Sequence, residues 1–594
     1  MSHDYFLLVD GVDQPDDRPT ADLTAALQNG GMHLRATFGA THVFTSCGTP
    51  TLLLPGGGVI AGDLYSHRGE RIRDVGPLAG MSSNTTVQHH ILANFWGDYI
   101  LVLPGAEGPS TFSVTRSPSH TCALPCFYSL TRGTGFITSD ISIAARLGLY
   151  RRRIDFDYIT HRLIYPDLKT CHTGMTGVSE LLPGCTLRFR HATVHVDQAW
   201  NPWNFVGIDQ RYSDAHEAAA TIKHAVVSVI RAWAEHDESV LLELSGGLDS
   251  SIVGAALAQS QARVACCTLT TPVPGADERE YGALIATMLG TELQAVELGY
   301  DDALFEFPVA QALITPAIGP LQYAVDRIMQ ATAERCGAKS YFSGAGGDTI
   351  FGYLTSAAPA ADAFREGGFL TGIRAIHDLS MFHQCTYWKA SRLTLRKLLQ
   401  PERASYGVDR SWLSPRLSLP EAQLHPWLSP PAAALPGDRQ RIFELSATQF
   451  FRDSCPRSLT RPVRMPLLSQ PVIEACLRVP SWMWFAGGHN RAVARQAFAD
   501  VLPPAIVARK SKGTFTAYLG ALYRRKADAM LAFLLDGELQ SHGLLDADAL
   551  RQLAGGEVPR NAGSFMRIFQ LCALENWIRQ QSPSAEHTPT STAH

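Results

Sequence analysis

Apolar positions follow two rhythms along the chain. Up to about residue 205 they come as short runs, Tyr5 to Val9, Thr51 to Leu54, Tyr99 to Leu103 and Thr186 to Phe189, punctuated by Gly and Pro. Runs of that length between turn residues predict a β-rich region with few helices. From Asp214 to Glu235 helical spacing takes over, and beyond it strand-like and helical stretches alternate. Val240, Leu241, Leu242 and Leu244 read as a buried strand and Ile252 to Leu257 as a helix. Arg263 to Leu269, Thr291 to Leu298 and Ser340 to Phe342 read as further strands, with Asp277 to Leu289 a helix among them. Such alternation predicts a parallel sheet whose ligands lie at the carboxyl ends of its strands. The expected fold is α/β: a β-rich domain over 1–205, a parallel-sheet domain with helical additions over 206–580, and a small, polar, disordered tail over 581–594.

Composition narrows the classes. At 594 residues the chain is too long for one core. A net charge of −4 without long basic runs argues against a nucleic-acid partner. The start MSHDYFLLVDG lacks a signal-peptide pattern, and no apolar run reaches the roughly 20 residues that span a bilayer, so a cytoplasmic protein without a membrane partner is expected. The 12 cysteines are scattered, with Cys122 and Cys126 close and Cys266 and Cys267 adjacent; no CxxC pair occurs, and core packing is the expected role. His89-His90 has no further ligand at metal spacing. The segment Leu413 to Asp438, with Pro415, Pro420, Pro426, Pro430, Pro431 and Pro436, reads as an irregular excursion: a lid, a peptide-binding element, or disorder, although Trp412 and Trp427 suggest packing.

The chemistry concentrates in two turns. Between the strand ending at Leu244 and the helix resuming at Ile252 lies Ser245-Gly246-Gly247-Leu248-Asp249-Ser250-Ser251. Two glycines allow positive φ and close approach of a ligand to the backbone, and the serines and the helix start offer donors: a phosphate cradle. No Gly-Lys-Ser/Thr ending follows, so the turn is not a Walker A loop and its cations must come from elsewhere. Asp249, an acid in a phosphate site, makes sense if a hard cation such as Mg²⁺ sits between carboxylate and phosphate. The second turn, Ser343-Gly344-Ala345-Gly346-Gly347-Asp348-Thr349-Ile350-Phe351-Gly352, also follows a strand-like piece, and its Asp348 could join Asp249 at one site.

The first turn resembles the pyrophosphate loop of the ATP pyrophosphatases, and the second resembles the Ser-Gly-x-Gly-x-Asp-x-x-Phe-Gly segment of their asparagine synthetase branch. Phe95-Trp96-Gly97-Asp98, Pro125-Cys126-Phe127-Tyr128 and Leu182-Pro183-Gly184 are similar, in order, to stretches of that branch's N-terminal glutaminase domain. Ser2 stands where such a glutaminase has its nucleophilic cysteine; a serine there could serve as an N-terminal nucleophile, but His3-Asp4 departs from the family's opening pattern, which implies a degenerate domain that produces no ammonia. Asparagine synthetase has Glu, and β-lactam synthetase Tyr, where this chain has Ala345, which can move no proton. Asp277-Glu278 resembles an Asp-Glu step of asparagine synthetases, although a charged first helical turn would look the same. A late block, Arg464-Met465-Pro466-Leu467-Leu468, then Arg491 to Ala497, then Arg509-Lys510-Ser511-Lys512-Gly513, follows the family order and supplies cations.

Lasso peptide cyclases are the relatives that fit best. The resemblance implies Asp249, Asp348 and Lys512 as the catalytic set, and Asp249 and Asp348 as the ligands of Mg²⁺. It places Ser245, Gly246, Gly247, Asp249, Ser250, Leu269, Gly344, Gly346, Arg491, Lys510 and Lys512 around ATP, with adenine held by backbone near Leu269 and Lys510 as the alternative to Lys512. It also implies a precursor peptide as substrate, and a leader peptidase and leader-binding protein as partners. An asparagine synthetase or β-lactam synthetase-like ligase acting on a small molecule, and a non-catalytic scaffold, are the alternatives.

Overall fold

The computed structural model describes the chain except residues 1–2, 10–19, 79–83, 106–110, 121–123, 274, 276, 354, 400–405, 511–512, 555–561 and 583–594. The N-terminal region holds two six-stranded antiparallel sheets. One runs in the order Ser179–Glu180, Phe127–Thr131, Thr134–Thr138, Tyr5–Val9, Thr41–Ser46, Met32–Phe38. The other runs Thr193–Gln198, Cys185–Arg190, Phe112–Arg116, Tyr99–Pro104, Val59–Gly62, Thr51–Leu53.

The uninterrupted apolar runs have a layered cause. Tyr5, Leu7 and Val9 meet Val59, Ile100, Val102 and Leu187 between the sheets, whereas Phe6 and Leu8 face the helices Ile141–Arg146 and Phe156–Ile164. Tyr99, Leu101 and Leu103 likewise face Ile91 of the helix Asn84–Asn94 on the far side of the second sheet. A strand covered on both faces needs apolar residues at every position. Helix, sheet, sheet and helix therefore stack in four layers.

The second sheet system is parallel, with the order Leu293–Glu297, Arg263–Thr270, Ser239–Glu243, Ser340–Ser343, Val463–Arg464. From the central strand the chain moves outward through two strands on one side, then crosses to the other side with Ser340–Ser343. Strand order reverses at that point, and a reversal leaves an open crevice beyond the carboxyl ends of the two flanking strands. The two glycine-rich turns follow those two strands. The fifth strand has two residues, too short for any periodicity to announce it.

Residues 358–399 form three helices, Ala358–Glu366, Gly368–Phe382 and Tyr387–Leu399, that the sequence reading did not resolve into elements. The proline-rich stretch after them is irregular but packed rather than disordered. Trp427 is fully buried and stacked on His120, its carbonyl accepting from Trp203 Nε1 at 2.7 Å. The helices Thr516–Leu535 and Ala562–Gln581 close against the outer helices of the N-terminal region in one shared core. Arg567 Nη2 there donates to the carbonyl of Leu163 at 2.5 Å.

A buried ionic cluster fastens the N-terminal strands to the segment between the parallel strands Ser340–Ser343 and Val463–Arg464. Glu180 accepts from Lys169 at 2.7 Å and from Arg116 and Arg452 at 2.8 Å each, and Lys169 also reaches Asp453 at 3.0 Å. Burial alone would raise the Glu180 carboxyl, but Arg452, Lys169 and Arg116 overcome it and hold the group below the ordinary glutamate range. A depressed folded pKa contributes stability that is complete above the unfolded value of about 4.3 and is lost as pH falls toward the folded value. Glu180→Gln strands buried cations and is expected to cost on the order of 3–5 kcal/mol at pH 7. Chemical denaturation of both proteins checks this: the gap should persist largely intact at pH about 4, and a gap already closed at pH 5 contradicts the assignment.

Candidate active site

The first turn is shaped by its own hydroxyls. Ser250 Oγ accepts from the Ser245 N–H at 3.2 Å and donates to the Gly247 carbonyl at 3.2 Å, with Ser245 Oγ 3.1 Å away. Gly246 has φ +69°, and Gly247 caps the helix Leu248–Leu257, so the unpaired N–H groups of that helix open onto the crevice. The second turn lies directly on the first. A Cβ at Gly344 would come within 2.6 Å of the Ser250 nitrogen, and one at Gly347 within 2.3 Å of the Asp249 carboxyl carbon. Gly346, at φ +86°, abuts Leu468. Only hydrogen at 344 and 347 lets the two turns, and hence their aspartates, meet.

A single guanidinium joins them. Arg491 Nη1 donates to both Asp249 oxygens, at 3.0 and 2.9 Å, and to Asp348 Oδ1 at 2.9 Å. Arg491 itself sits in the left-handed region, φ +52°, a conformation costly for a side chain with a Cβ and held here by what surrounds it. Its guanidinium lies 5.4 Å over the Tyr353 ring. Beside it, Arg495 clasps the Asn490 carbonyl at 2.9 Å and the Val507 carbonyl at 2.5 Å, and burial, then the Arg491 charge, pushes its pKa down to about 10.

A second cation anchors the other flank. Arg509 Nη1 donates to the Gly246 carbonyl at 2.9 Å and Nη2 pairs with Glu278, which also accepts from the Gly513 N–H at 2.7 Å. Arg509 and Gly513 are thereby tied through Glu278 to the phosphate turn. Lys510 is exposed, and Lys512 lies outside the described residues. Leu269 is at the carboxyl end of its strand, paired with Val296, and Ala345 packs against the core with its N–H toward Ser343 Oγ at 3.3 Å.

Arg464, grouped in sequence with the cations of the late block, is placed elsewhere. Its guanidinium grips Asp237 at 2.9 and 3.0 Å over the Trp233 ring, tying the last strand to the helix Ala215–Asp237. Arg509 and Arg495 received no role from the sequence. Of the charged step at 277–280, Asp277 pairs with the exposed Arg279 and Glu278 turns inward. Nothing in a run of four charges says which one is buried.

Two carboxylates within reach of one cationic nitrogen suit Mg²⁺, which takes one or two carboxylates and completes its shell with water and phosphate oxygens. Among the described residues no group of three or more His, Cys, Asp or Glu could hold a metal alone. Thr349 of the second turn lines a cavity of about 680 Å³ together with Leu163, Phe443, Phe450, Phe569 and the charged Arg162, Asp167 and Arg567. Glu444 is on its wall, and burial raises its carboxyl above the usual range.

A parallel sheet with a serine- and glycine-shaped anion turn at its switch point, paired aspartates and flanking arginines defines a nucleotide-dependent α/β enzyme domain. Residues 221–579, more than half of the chain, match the asparagine synthase family. The chain belongs to that family and is an ATP-dependent amide-forming ligase. No curated protein matches it. Solved structures similar to parts of it include the allosteric regulatory enzyme of purine biosynthesis (9% identity, 50% of this chain and 80% of that one, TM-score 0.21). Another is glutamine phosphoribosylpyrophosphate amidotransferase from B. subtilis complexed with ADP and GMP (11%, 57% and 80%, TM-score 0.20). At those TM-scores neither bears on the site. Among the described residues no helix is long and apolar enough to cross a membrane.

Gly347→Ala is expected to displace the Asp249 carboxylate and lower ATP-dependent turnover by roughly 10–100-fold, as loss of a ligand's supporting contact does. Gly207→Ala, where an added Cβ meets nothing within 4 Å, is the control and should leave turnover unchanged. Steady-state AMP release measures both.

Proposed function

We propose that the chain closes an isopeptide macrolactam in a ribosomally made precursor peptide, as a lasso peptide cyclase does. An Asp or Glu side-chain carboxylate of the peptide attacks the α-phosphorus of ATP and pyrophosphate leaves. The α-amine of the leader-free core peptide then attacks the acyl carbon; the C–N bond forms, the C–O bond to AMP breaks, and the ammonium proton passes to a base.

The observation that carries this reading is the cavity lined at one point by Thr349 of the second turn, where phenylalanine and leucine side chains stand beside Arg162, Asp167, Glu444 and Arg567. Its volume and its mixed apolar and charged lining suit the side chains of a folded-back peptide better than free aspartate and ammonia, which would leave the phenylalanine part of the wall unused. Ala345 supports it further. Its methyl leaves room where the small-molecule ligases of the family carry a Glu or Tyr, and holding amine and activated acyl together becomes the main catalytic contribution.

In this reading Ser245, Gly246, Gly247, Ser250 and the helix N-terminus cradle the phosphates, with Gly344 and Gly346 closing over them and the backbone near Leu269 taking adenine. Asp249 and Asp348 would hold Mg²⁺, which neutralises phosphate charge. Arg491, Lys510 and Lys512 offset the charge of departing pyrophosphate. Glu444 takes the proton from the amine, because a buried carboxylate of raised pKa is the more effective base near neutrality. A leader peptidase and a leader-binding protein deliver the free amine.

The test incubates the purified chain with a candidate precursor, its peptidase and ATP. AMP release that requires the cleaved peptide, with a product lighter by one water, is expected, and Asp249→Ala should abolish both. Turnover of free aspartate with ammonia instead returns the chain to asparagine synthesis, and silence with every substrate favours a scaffold. Protonation disables a carboxylate base, so the wild-type rate should rise with pH through the elevated Glu444 pKa. Glu444→Gln should flatten that limb and lose about 10²–10⁴-fold in single-turnover cyclisation rate; an unchanged profile removes Glu444 from the chemistry.

A further inference from the structure

The helices Gly368–Phe382 and Tyr387–Leu399 turn several large apolar side chains outward, although the first also buries Ile376 and Leu379. Trp388 is 85% exposed, Leu370 83%, Leu399 75% and Phe369 71%. The second helix buries only Ala390 and Thr394. A surface helix of a globular domain does the reverse, hiding Leu and Trp and exposing small or polar residues. Tyr387 Oη donates to the Ile373 carbonyl at 3.3 Å and joins the two helices, and Arg365 Nη2, from the preceding helix Ala358–Glu366, donates to the Leu398 carbonyl at 3.3 Å.

Charge on this surface is one-sided. Residues 365–399 contain six basic side chains, Arg365, Arg374, Lys389, Arg392, Arg396 and Lys397, against two acids, a local balance of +4 in a chain whose total is −4. Both acids are engaged inward: Glu366 pairs with Arg211, and Asp378 accepts from the Gly487 N–H at 3.0 Å. The helix Tyr387–Leu399 carries no acid at all.

We propose that this helix pair docks the protein on an anionic lipid surface. Projecting Trp, Phe and Leu interleaved with Lys and Arg is the pattern of a helix that lies in the headgroup plane, its apolar side chains entering the acyl boundary while its cations meet lipid phosphates. Helices of 15 and 13 residues are too short to span, so contact is peripheral. A second copy of this chain is a poor occupant, since an isologous contact would set basic surface against basic surface. The surface also connects to the site: Phe382 packs edge-on against Tyr353, the ring beneath Arg491. This inference does not depend on the identity of the acceptor substrate.

Flotation of the full-length protein with vesicles tests it, comparing equimolar phosphatidylglycerol and phosphatidylcholine with phosphatidylcholine alone. Binding to the anionic vesicles only, weakened by salt, is expected. The exposed-residue variants Trp388→Ala with Leu370→Ser, and Arg392→Glu with Arg396→Glu, should each lower partition at least tenfold with unchanged melting temperature and soluble AMP release. Failure to bind, equal binding to neutral vesicles, or wild-type binding by both variants overturns the proposal. A concentration-dependent oligomer that the same variants disperse, without vesicle binding, assigns the surface to protein contact instead.

Discussion

Two carboxylates cannot approach one another in a half-buried crevice without a cation between them. In this protein the cation is Arg491, whose Nη1 takes Asp249 and Asp348 together. The requirement propagates outward. It demands glycine at 344 and 347 so that the second turn can lie on the first, and it demands a left-handed arginine, steadied by Arg495 and Tyr353. Glu278 and Arg509 then clamp the far lip of the same crevice. The parallel sheet supplies the place where both turns must emerge, because strand order reverses between the strands that carry them.

Much of this was legible in the sequence for physical reasons. The strands Ser239–Glu243 and Ser340–Ser343 are buried at nearly every position and lead into the glycine-rich turns that mark their ends, whereas Arg263–Thr270 and the edge strand Leu293–Glu297 are only partly buried and mix polar with apolar residues. The two aspartates stood out because acids in glycine-rich turns have few structural uses. What escaped was set by tertiary contact. Glu278 differs from its charged neighbours only in facing Arg509, and Arg464 sits in the same block as Arg491 yet turns toward Asp237. The three helices at 358–399 were not resolved in the sequence, where nothing showed that Trp388, Leu395 and Leu399 would face outward.

The N-terminal sheets contribute to the site indirectly. Their outer helix Phe156–Ile164 lines the cavity through Leu163, and the Glu180 cluster and the Trp427 stack fasten the region to the segment whose Phe450 and Phe451 also line it. The N-terminal region thereby shapes a chamber that Thr349 of the second glycine-rich turn also lines.

The central claim is that a peptide carboxylate is activated by transfer of AMP. It is tested most directly by supplying a core peptide whose Asp or Glu side-chain carboxyl is labelled with ¹⁸O and recovering the nucleotide after cyclisation. Adenylation predicts one ¹⁸O atom in the phosphate of AMP for each ring closed. Label found in inorganic phosphate beside ADP, or ring closure with no label transferred, would contradict it.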